Sequence, residues 1–179
     1  MADMSTLSET ETGDPLAVDE PTFDISFGGT DCFGGGSIFA SAAAYYVFLS
    51  AVFRRDPRLL SPESYTELFR PQLDQAAEQS LDDYFARSPV HTQFLALDIP
   101  HTVRKTWSFA GVVCLDGQDG RFVKGTTFWA GVPSVEWFMD HETGIFGTAL
   151  CQILPPLHPV VIAMHEKFQR GVFAMAKIG

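Results

Sequence analysis

The residues best suited to acid–base chemistry are five histidines and a scattered set of carboxylates. Histidine titrates close to neutral pH, which makes it the most frequent proton carrier in enzymes. His91 and His101 lie in or beside the stretch from Pro89 to Pro100, which we expect to be an irregular loop, and loops often carry function. Asp31, next to Cys32 among glycines, could act as a general base. We therefore take His91, His101 and Asp31 as the candidate catalytic residues.

The remaining histidines do not form a convincing metal site. His158 and His165 are seven residues apart and could share a helix face, but the adjacent Glu166 would point away from that face. The acidic run Asp140–Glu142 falls in an expected hairpin turn, where we interpret it as a solvated polar cluster. We expect neither a bound metal nor another cofactor.

Three cysteines, Cys32, Cys114 and Cys151, are an odd number with no close pair. This spacing indicates neither a disulfide framework nor a cysteine-rich zinc site, and a reducing cytosol is the expected location. Cys114 and Cys151 fall in predicted strands, where we expect small core residues. Cys32, beside glycines, is the cysteine that we consider a candidate for reactivity.

The stretch from Lys124 to Phe138 is organised as a strand, a small-residue turn and a second strand. Its β-forming run from Thr126 to Trp129 leads into Ala130 and Gly131, and an apolar run resumes at Val135. Small residues at the turn leave backbone N–H groups uncovered, so another molecule can approach them closely.

The other elements predict an α+β fold, in which an antiparallel sheet is flanked by helices. The expected strands are Thr106–Cys114, Phe122–Trp129, Val135–Met139 and Gly144–Ile153. The expected helices are Ser37–Arg54, Ser61–Leu73 with Ser61 as N-cap, Leu81–Ala86 and Val160–Met175. On the last helix, the residues expected to face inward are Val161, Met164, Phe168 and Val172. Residues 1–24 are expected to be a flexible acidic tail, and residues 25–179 a single domain.

Charge and hydropathy exclude two classes of partner. The net charge is −10, and no basic patch offsets it, which argues against nucleic-acid binding. The uncharged segment Cys32–Phe53 precedes Arg54 and Arg55, as a membrane span would, but its glycines, serines and alanines make it a weak one. We expect a buried or interface helix there, and the chain starts without a signal-peptide pattern.

Five blocks in this order resemble the C-terminal half of the serine β-lactamase-like superfamily, in particular the class C-like esterases and the fungal polyketide acyltransferases. The blocks are Phe33–Ser41, Leu59–Ser64, Trp129–Gly131, Trp137–Asp140 and Gln152–Pro156. The resemblance covers about Phe33 to Ala174 and implies a truncated β-lactamase-like fold with a C-terminal helix. In such proteins the Trp-x-Gly strand replaces the Lys-Thr-Gly element.

The resemblance also implies roles for individual residues. Trp129 would line an acyl site, and the N–H of Val132, just after Gly131, would be an oxyanion-hole donor. Because the chain is rich in aromatic residues, we take Phe128, Trp129, Trp107 and Trp137 as the candidate walls of the site. A small-molecule substrate of secondary metabolism is the expected partner.

The sequence departs from the family at its reactive groups. No serine is followed by lysine at the third position, no asparagine is present, and the four tyrosines lack the expected motif. We therefore expect a non-covalent reaction such as cyclisation, isomerisation or dehydration. The alternatives are a non-catalytic partner subunit, or half of a serine hydrolase or acyltransferase completed by another chain. Surfaces that the family covers with its other half would be exposed here, and a homodimer is the simplest cover.

Overall fold

The computed structural model describes residues 4–24, 31, 38–132, 134–156 and 158–176. Its strands are β1 Met4–Glu9, β2 Pro15–Glu20, β3 Lys105–Trp107, β4 Val112–Cys114, β5 Thr127–Gly131, β6 Val135–Asp140, β7 Ile145–Leu150 and β8 Ile153–Leu154. Its helices are α1 Ala42–Phe53, α2 Pro62–Phe69, α3 Gln75–Arg87, α4 Pro89–Ala96 and α5 Pro159–Ala176. The predicted α+β class is confirmed.

The central sheet is an antiparallel meander with strand order β3-β4-β5-β6-β7. Across β5 and β6, Phe128 is opposite Phe138 and Trp129 is opposite Trp137. Successive side chains of a strand point to opposite faces, so the phenylalanines share one face and the tryptophans share the other. The register therefore separates a core face from a face that can carry a site.

The core lies between the phenylalanine face of the sheet and α5. Phe128 and Phe138 are fully buried there, and the Phe122 ring lies 5.2 Å from the Phe128 ring. From α5, Phe173 places its ring 5.5 Å from the Phe138 ring. Truncating a buried phenylalanine to alanine costs about 3–5 kcal/mol, so this cluster is the main apolar contact between sheet and helix.

The buried face of α5 differs from the prediction. Val161 is buried as expected, but Met164 is 48% exposed and Phe168 is 36% exposed. The positions turned inward instead are Val161, His165, Gln169 and Phe173. Two of these residues are polar. A search for apolar residues at helical spacing therefore predicts an inward face that is one residue away from the observed one.

One helix start confirms the capping argument, and two others differ from the prediction. The Ser61 side chain accepts a hydrogen bond from the Ser64 N–H at 3.2 Å, with Pro62 opening α2 as predicted. For α1 the N-cap is Ser41 and residues 38–41 are not helical, so the helix begins later than the predicted Ser37, which itself lies outside the described residues. The α3 helix covers thirteen residues rather than six because Asp74 caps it earlier than expected.

The α1 helix is less buried than its apolar sequence suggests. Only Leu49 is fully buried, and Tyr46, Val47 and Phe48 are each more than half exposed. In the described part of the chain, no helix combines the length and apolar content needed to cross a bilayer.

The stretch expected to be a loop from Pro89 to Pro100 contains α4. Pro89 occupies the first turn of the helix, and Leu97 and Asp98 end it in the left-handed conformation, with φ of 50° and 57°. Glycine usually occupies such positions. Because leucine and aspartate stand here instead, the sequence does not indicate where the helix ends. The predicted strand Thr106–Cys114 is likewise split into β3 and β4, with Gly111 at the bend.

The prediction of a flexible tail is wrong for residues 4–20, which form the hairpin of β1 and β2. Its turn is closed by the Thr10 N–H, which donates to the Asp14 carbonyl at 2.9 Å. β1 also pairs in parallel with β8, and Met4 is buried. Backbone pairing holds this hairpin, which is why a composition poor in apolar residues misled the prediction.

Two glycine substitutions test this packing. A Cβ at Gly147 would lie 2.5 Å from the Phe138 ring, whereas a Cβ at Gly171 of α5 meets nothing within 4 Å. We expect Gly147→Ala to lower the free energy of unfolding by about 1–3 kcal/mol through overpacking. Gly171→Ala should raise it by about 0.5–1 kcal/mol through helix propensity. Urea unfolding measures both, and a neutral Gly147→Ala would contradict the described core.

Candidate functional site

Three tryptophans form what we call the aromatic wall: Trp107, Trp129 and Trp137. Trp129 and Trp137 are cross-strand partners on the face of the sheet opposite the core. The Trp107 ring lies 5.1 Å from the Trp129 ring, tilted by 57°. All three are half-buried, so each leaves part of its indole accessible. These are the only tryptophans of the chain.

Phe128 does not belong to the aromatic wall. Its side chain is fully buried and stacks on Phe122 within the core. The alternation of side chains along β5 places it on the opposite face from Trp129. Of the four predicted wall residues, the structure therefore brings three together and assigns Phe128 to the core.

The hairpin loop between β5 and β6 lies at the end of the aromatic wall. The Ser134 N–H donates to the Gly131 carbonyl at 2.9 Å, which closes the turn that contains Val132. Ser134 has φ of 70°, a left-handed conformation that costs a non-glycine residue on the order of 1 kcal/mol. Its hydroxyl donates to the Ile153 carbonyl at 3.1 Å and holds it there. The role of the Val132 N–H as an oxyanion donor stays a prediction.

Among the described residues, no hydrogen bond or ring contact joins the predicted proton carriers to one another. His91 is exposed on α4, where its Nδ1 is 2.6 Å from the Ser88 hydroxyl and its ring stacks on Tyr84 at 5.0 Å. His101 is exposed in the turn that follows α4. Asp31 is exposed, and its neighbour Cys32 lies outside the described residues. Catalytic roles for these residues stay predictions.

The turn at Asp140 is structural rather than a solvated cluster. The Asp140 side chain is buried, and its carboxylate accepts a hydrogen bond from the Glu142 N–H at 2.9 Å. The His141 ring lies 4.9 Å from Phe53 and 4.7 Å from Phe69. Burial lowers the pKa of His141, and the charge of Arg55 adds to this. The run therefore anchors α1 and α2 to the hairpin.

A buried polar cluster, formed by Arg121, Glu136, His165 and Gln169, lies between the sheet and α5. Gln169 Nε2 donates to Glu136 Oε1 at 2.8 Å, and Arg121 Nε donates to Gln169 Oε1. His165 Nδ1 lies 3.2 Å from Glu136 Oε2, an oxygen with no aligned donor. That contact is therefore an ion pair held by charge more than by hydrogen-bond direction.

Cys151 joins this cluster through His165. Its Sγ lies 3.7 Å from His165 Nε2, and the thiol donates to the Ser134 carbonyl at 2.9 Å. Burial by itself would lower the pKa of His165, but the Cys151 and Glu136 side chains outweigh burial and raise it to about 9. Cys114 is a buried core residue as predicted, whereas Cys151 is only half-buried and contacts an imidazolium.

A cavity of about 40 Å³ opens beside the buried polar cluster, between α4, α5 and the β5–β6 hairpin. Arg121, Glu136 and His165 line it on the polar side, and Phe94, Leu97 and Ile162 are among its apolar walls. Within the ranges that the structure describes, no group of three histidine, cysteine or acidic side chains is placed to hold a metal ion.

Sequence reasoning missed the buried polar cluster, although two signals pointed to it. Glu136 is a charged residue inside an apolar strand, and His165 and Gln169 are four residues apart on α5. Residues four apart share a helix face, so both could meet one partner. The pattern does not reveal that Glu136 is this partner, since the contact joins residues 33 positions apart.

The five-stranded sheet, the helix packed on one face and the Trp-x-Gly strand define a truncated β-lactamase-like fold. A simvastatin synthase variant from Aspergillus terreus matches with a TM-score of 0.84 and 26% identity, over 99% of this chain and 43% of that chain. An unliganded selenomethionyl form of that synthase matches with a TM-score of 0.82 and 25% identity, over 99% and 42%.

Curated proteins from fungi match in sequence. The monacolin J acid methylbutanoyltransferase of Aspergillus terreus is 28% identical over 84% of this chain and 37% of its own length. The ML-236A carboxylate methylbutanoyltransferase of Penicillium citrinum is 26% identical over 83% and 36%. No family model matches. The chain is homologous to the C-terminal part of these acyltransferases, and the resemblance to the β-lactamase-like superfamily is confirmed. The chain spans little more than a third of the length of these two curated relatives.

The raised pKa of His165 predicts how stability depends on pH. A pKa of about 9 in the folded chain, against an ordinary 6.5, means that the stabilisation is complete below pH 6.5 and is lost as pH rises through 9. His165→Gln should remove this slope and lower stability at pH 6.5 by on the order of 1–3 kcal/mol. Urea unfolding from pH 6 to 10 measures it, with the exposed His91→Gln as control. An unchanged slope in His165→Gln would contradict the ion pair.

Proposed function

We propose that this chain is a small-molecule enzyme of secondary metabolism, and that the aromatic wall binds its substrate. The observation that carries the proposal is the cross-strand pair of Trp129 and Trp137 on the open face of the Trp-x-Gly hairpin, with the Trp107 ring 5.1 Å from the Trp129 ring. The relatives whose fold it shares are acyltransferases named for small-molecule substrates, which supports a substrate of the same chemical class.

The aromatic wall suits a bulky apolar ring system. Three half-buried indoles offer flat apolar area without the entropy cost of ordering flexible side chains. An aromatic contact adds about 0.5–1.5 kcal/mol beyond area burial. At the end of the wall, the backbone N–H groups of Gly131 and Val132 would donate hydrogen bonds to a carbonyl oxygen of the substrate. Shape and these donors together would orient the substrate.

For the reaction we propose non-covalent turnover, by cyclisation, isomerisation or dehydration. The support is that no serine in this sequence precedes a lysine by three residues, which is the pairing that acyl-enzyme chemistry of this superfamily needs. A bound substrate held in a reactive conformation then needs only proton transfer. His91, His101 and Asp31 are the proposed proton carriers, in a cytosol that keeps the thiols of Cys114 and Cys151 reduced.

We further propose that α1 is covered by a second copy of the chain. Tyr46, Val47 and Phe48 occupy successive positions of α1, so they leave apolar surface exposed around a wide arc of the helix, and Val47 is 67% exposed. Apolar faces of this kind are costly in water, and a two-fold dimer covers two of them at once.

Replacement of Trp129 tests the substrate site. Because every tryptophan of the chain is in the aromatic wall, intrinsic fluorescence should change saturably when monacolin J acid is titrated into the protein. Trp129→Ala should weaken binding about five- to thirty-fold, which corresponds to about 1–2 kcal/mol of lost contact. The exposed Met175→Ala on α5 is the matched control and should bind normally.

Two outcomes would count against this function. Equal affinities of the wild type and Trp129→Ala would remove the aromatic wall as the substrate site. Intact-mass detection of an acylated protein after incubation with p-nitrophenyl butanoate would overturn non-covalent turnover and favour an acyltransferase mechanism. A requirement for a second, different protein before any binding occurs would favour the partner-subunit alternative.

The dimer proposal has a separate test. Light scattering after size exclusion should give twice the chain mass of 19.7 kDa, and Val47→Glu should return the mass to that of one chain. Val90→Glu, at a 61% exposed apolar position on α4, should leave the dimer intact. A wild-type protein that elutes as a monomer at high concentration would refute self-association through α1.

A further inference from the structure

Cys151, His165 and Glu136 form a line of three reactive side chains, which we call the thiol triad. The Cys151 Sγ lies 3.7 Å from His165 Nε2, and on the other side of the ring His165 Nδ1 lies 3.2 Å from Glu136 Oε2. A nucleophile, a ring that carries a proton beside it and a third group that orients the ring are the parts by which activated cysteines are recognised. The turnover proposed at the aromatic wall uses none of these residues.

The Glu136 carboxylate is buried, and one of its oxygens lacks a donor. The residue is 1% exposed, and its Oε1 accepts a hydrogen bond from Gln169 Nε2 at 2.8 Å, whereas Oε2 has no hydrogen-bond partner. A buried carboxylate oxygen in this state is stabilised by a positive charge next to it. Because the His165 imidazole faces Oε2, the carboxylate favours the protonated ring, and Nε2 then presents an N–H to Cys151.

The sulfur of the thiol triad is held in place without being enclosed. Cys151 is half-buried, in contrast to Cys114, which lies in the core. In its thiol form the S–H donates to the Ser134 carbonyl at 2.9 Å, which keeps Sγ beside the imidazole. A protonated imidazole next to sulfur favours the thiolate, which is the form of cysteine that attacks electrophiles.

The space around the thiol triad favours a small electrophile. Ser134 and His165, which both contact Cys151, also line the cavity of about 40 Å³ between α4, α5 and the β5–β6 hairpin. A water molecule needs about 10–15 Å³ of such volume, so the cavity holds only about two or three molecules of that size. Hydrogen peroxide is little larger than water, whereas an acyl or aryl electrophile needs more room.

We propose that Cys151 is a peroxide-sensitive thiol, activated by His165 and with Glu136 as the positioning residue. The thiol first loses its proton to solvent. The thiolate then attacks one oxygen of hydrogen peroxide, the O–O bond breaks, and the leaving hydroxide takes the Nε2 proton of His165 to become water. Sulfur is oxidised to a sulfenic acid, the peroxide is reduced, and His165 regains a proton from solvent. This step adds oxygen rather than an acyl group, so it is independent of the proposed turnover.

Oxidation of the wild type by hydrogen peroxide tests the thiol triad, with dimedone to trap the sulfenic acid and peptide mapping to follow each cysteine. A free thiol is only a few per cent ionised at neutral pH, so Cys151 should react at least about tenfold faster in the folded chain than in the chain unfolded in urea. Cys114 is the internal reference, since its core position should make it react more slowly in the folded chain.

Two substitutions separate activation from burial. His165→Gln should slow the oxidation of Cys151 at least about tenfold, whereas the exposed His91→Gln should leave the rate unchanged. Glu136→Gln retains an acceptor for Gln169 and should slow the oxidation several-fold. Nitrogen NMR of the His165 ring at neutral pH should show both nitrogens protonated in the wild type and a loss of protonation in Glu136→Gln. A purely structural Glu136 would leave the ring as it is in the wild type.

The comparison of folded and unfolded wild type needs no variant, so it decides the matter even if His165→Gln does not fold. A Cys151 that reacts no faster in the folded chain than in urea would overturn the proposal. Full reactivity of Cys151 in a folded His165→Gln would do the same, because the sulfur would then react without the ring.

Discussion

The packing of α5 against one face of the five-stranded sheet is the contact on which the other features depend. Phe138 and Phe173 supply its apolar centre, and the Phe138 ring lies over Gly147, where no side chain intervenes. With that face committed to the core, the alternation along β5 and β6 turns Trp129 and Trp137 to the other side. The position of the aromatic wall is thus a consequence of where the core is.

The same interface contains the buried polar cluster, which restricts how α5 can be oriented on the sheet. An apolar helix could rotate or slide on an apolar sheet at small cost. The bonds from Gln169 to Glu136 and to Arg121 fix the rotation and the register of α5, because any slip would leave buried charges unpaired. Ion pairs of this kind contribute modest net stability but strong discrimination between arrangements.

Local signals in the sequence predicted local structure, and long-range contacts explain most of what it could not predict. Ser61 and Pro62 predict the start of α2, and the β-forming run around Trp129 predicts a hairpin. The partners of Glu136 are out of reach of any periodic pattern, since they lie on a helix far along the chain. α4 was missed for a different reason, because Leu97 ends it in a conformation that glycine usually signals. The resemblance singled out Trp129, and the aromatic residue types singled out Trp107 and Trp137, whereas no pattern in the sequence pairs Glu136 with Gln169.

The pairing of β1 with β8 has a consequence for how the chain reaches this structure. The Ser5 N–H donates to the Gln152 carbonyl at 2.7 Å, which closes a loop of nearly the whole chain. Loop-closure entropy opposes such a contact until the intervening segments are compact. The meander from β3 to β7 consists of neighbours in sequence and has no such barrier. We infer an order of assembly in which the meander and α5 form first, and the N-terminal hairpin docks last onto β8, which begins two residues after Cys151.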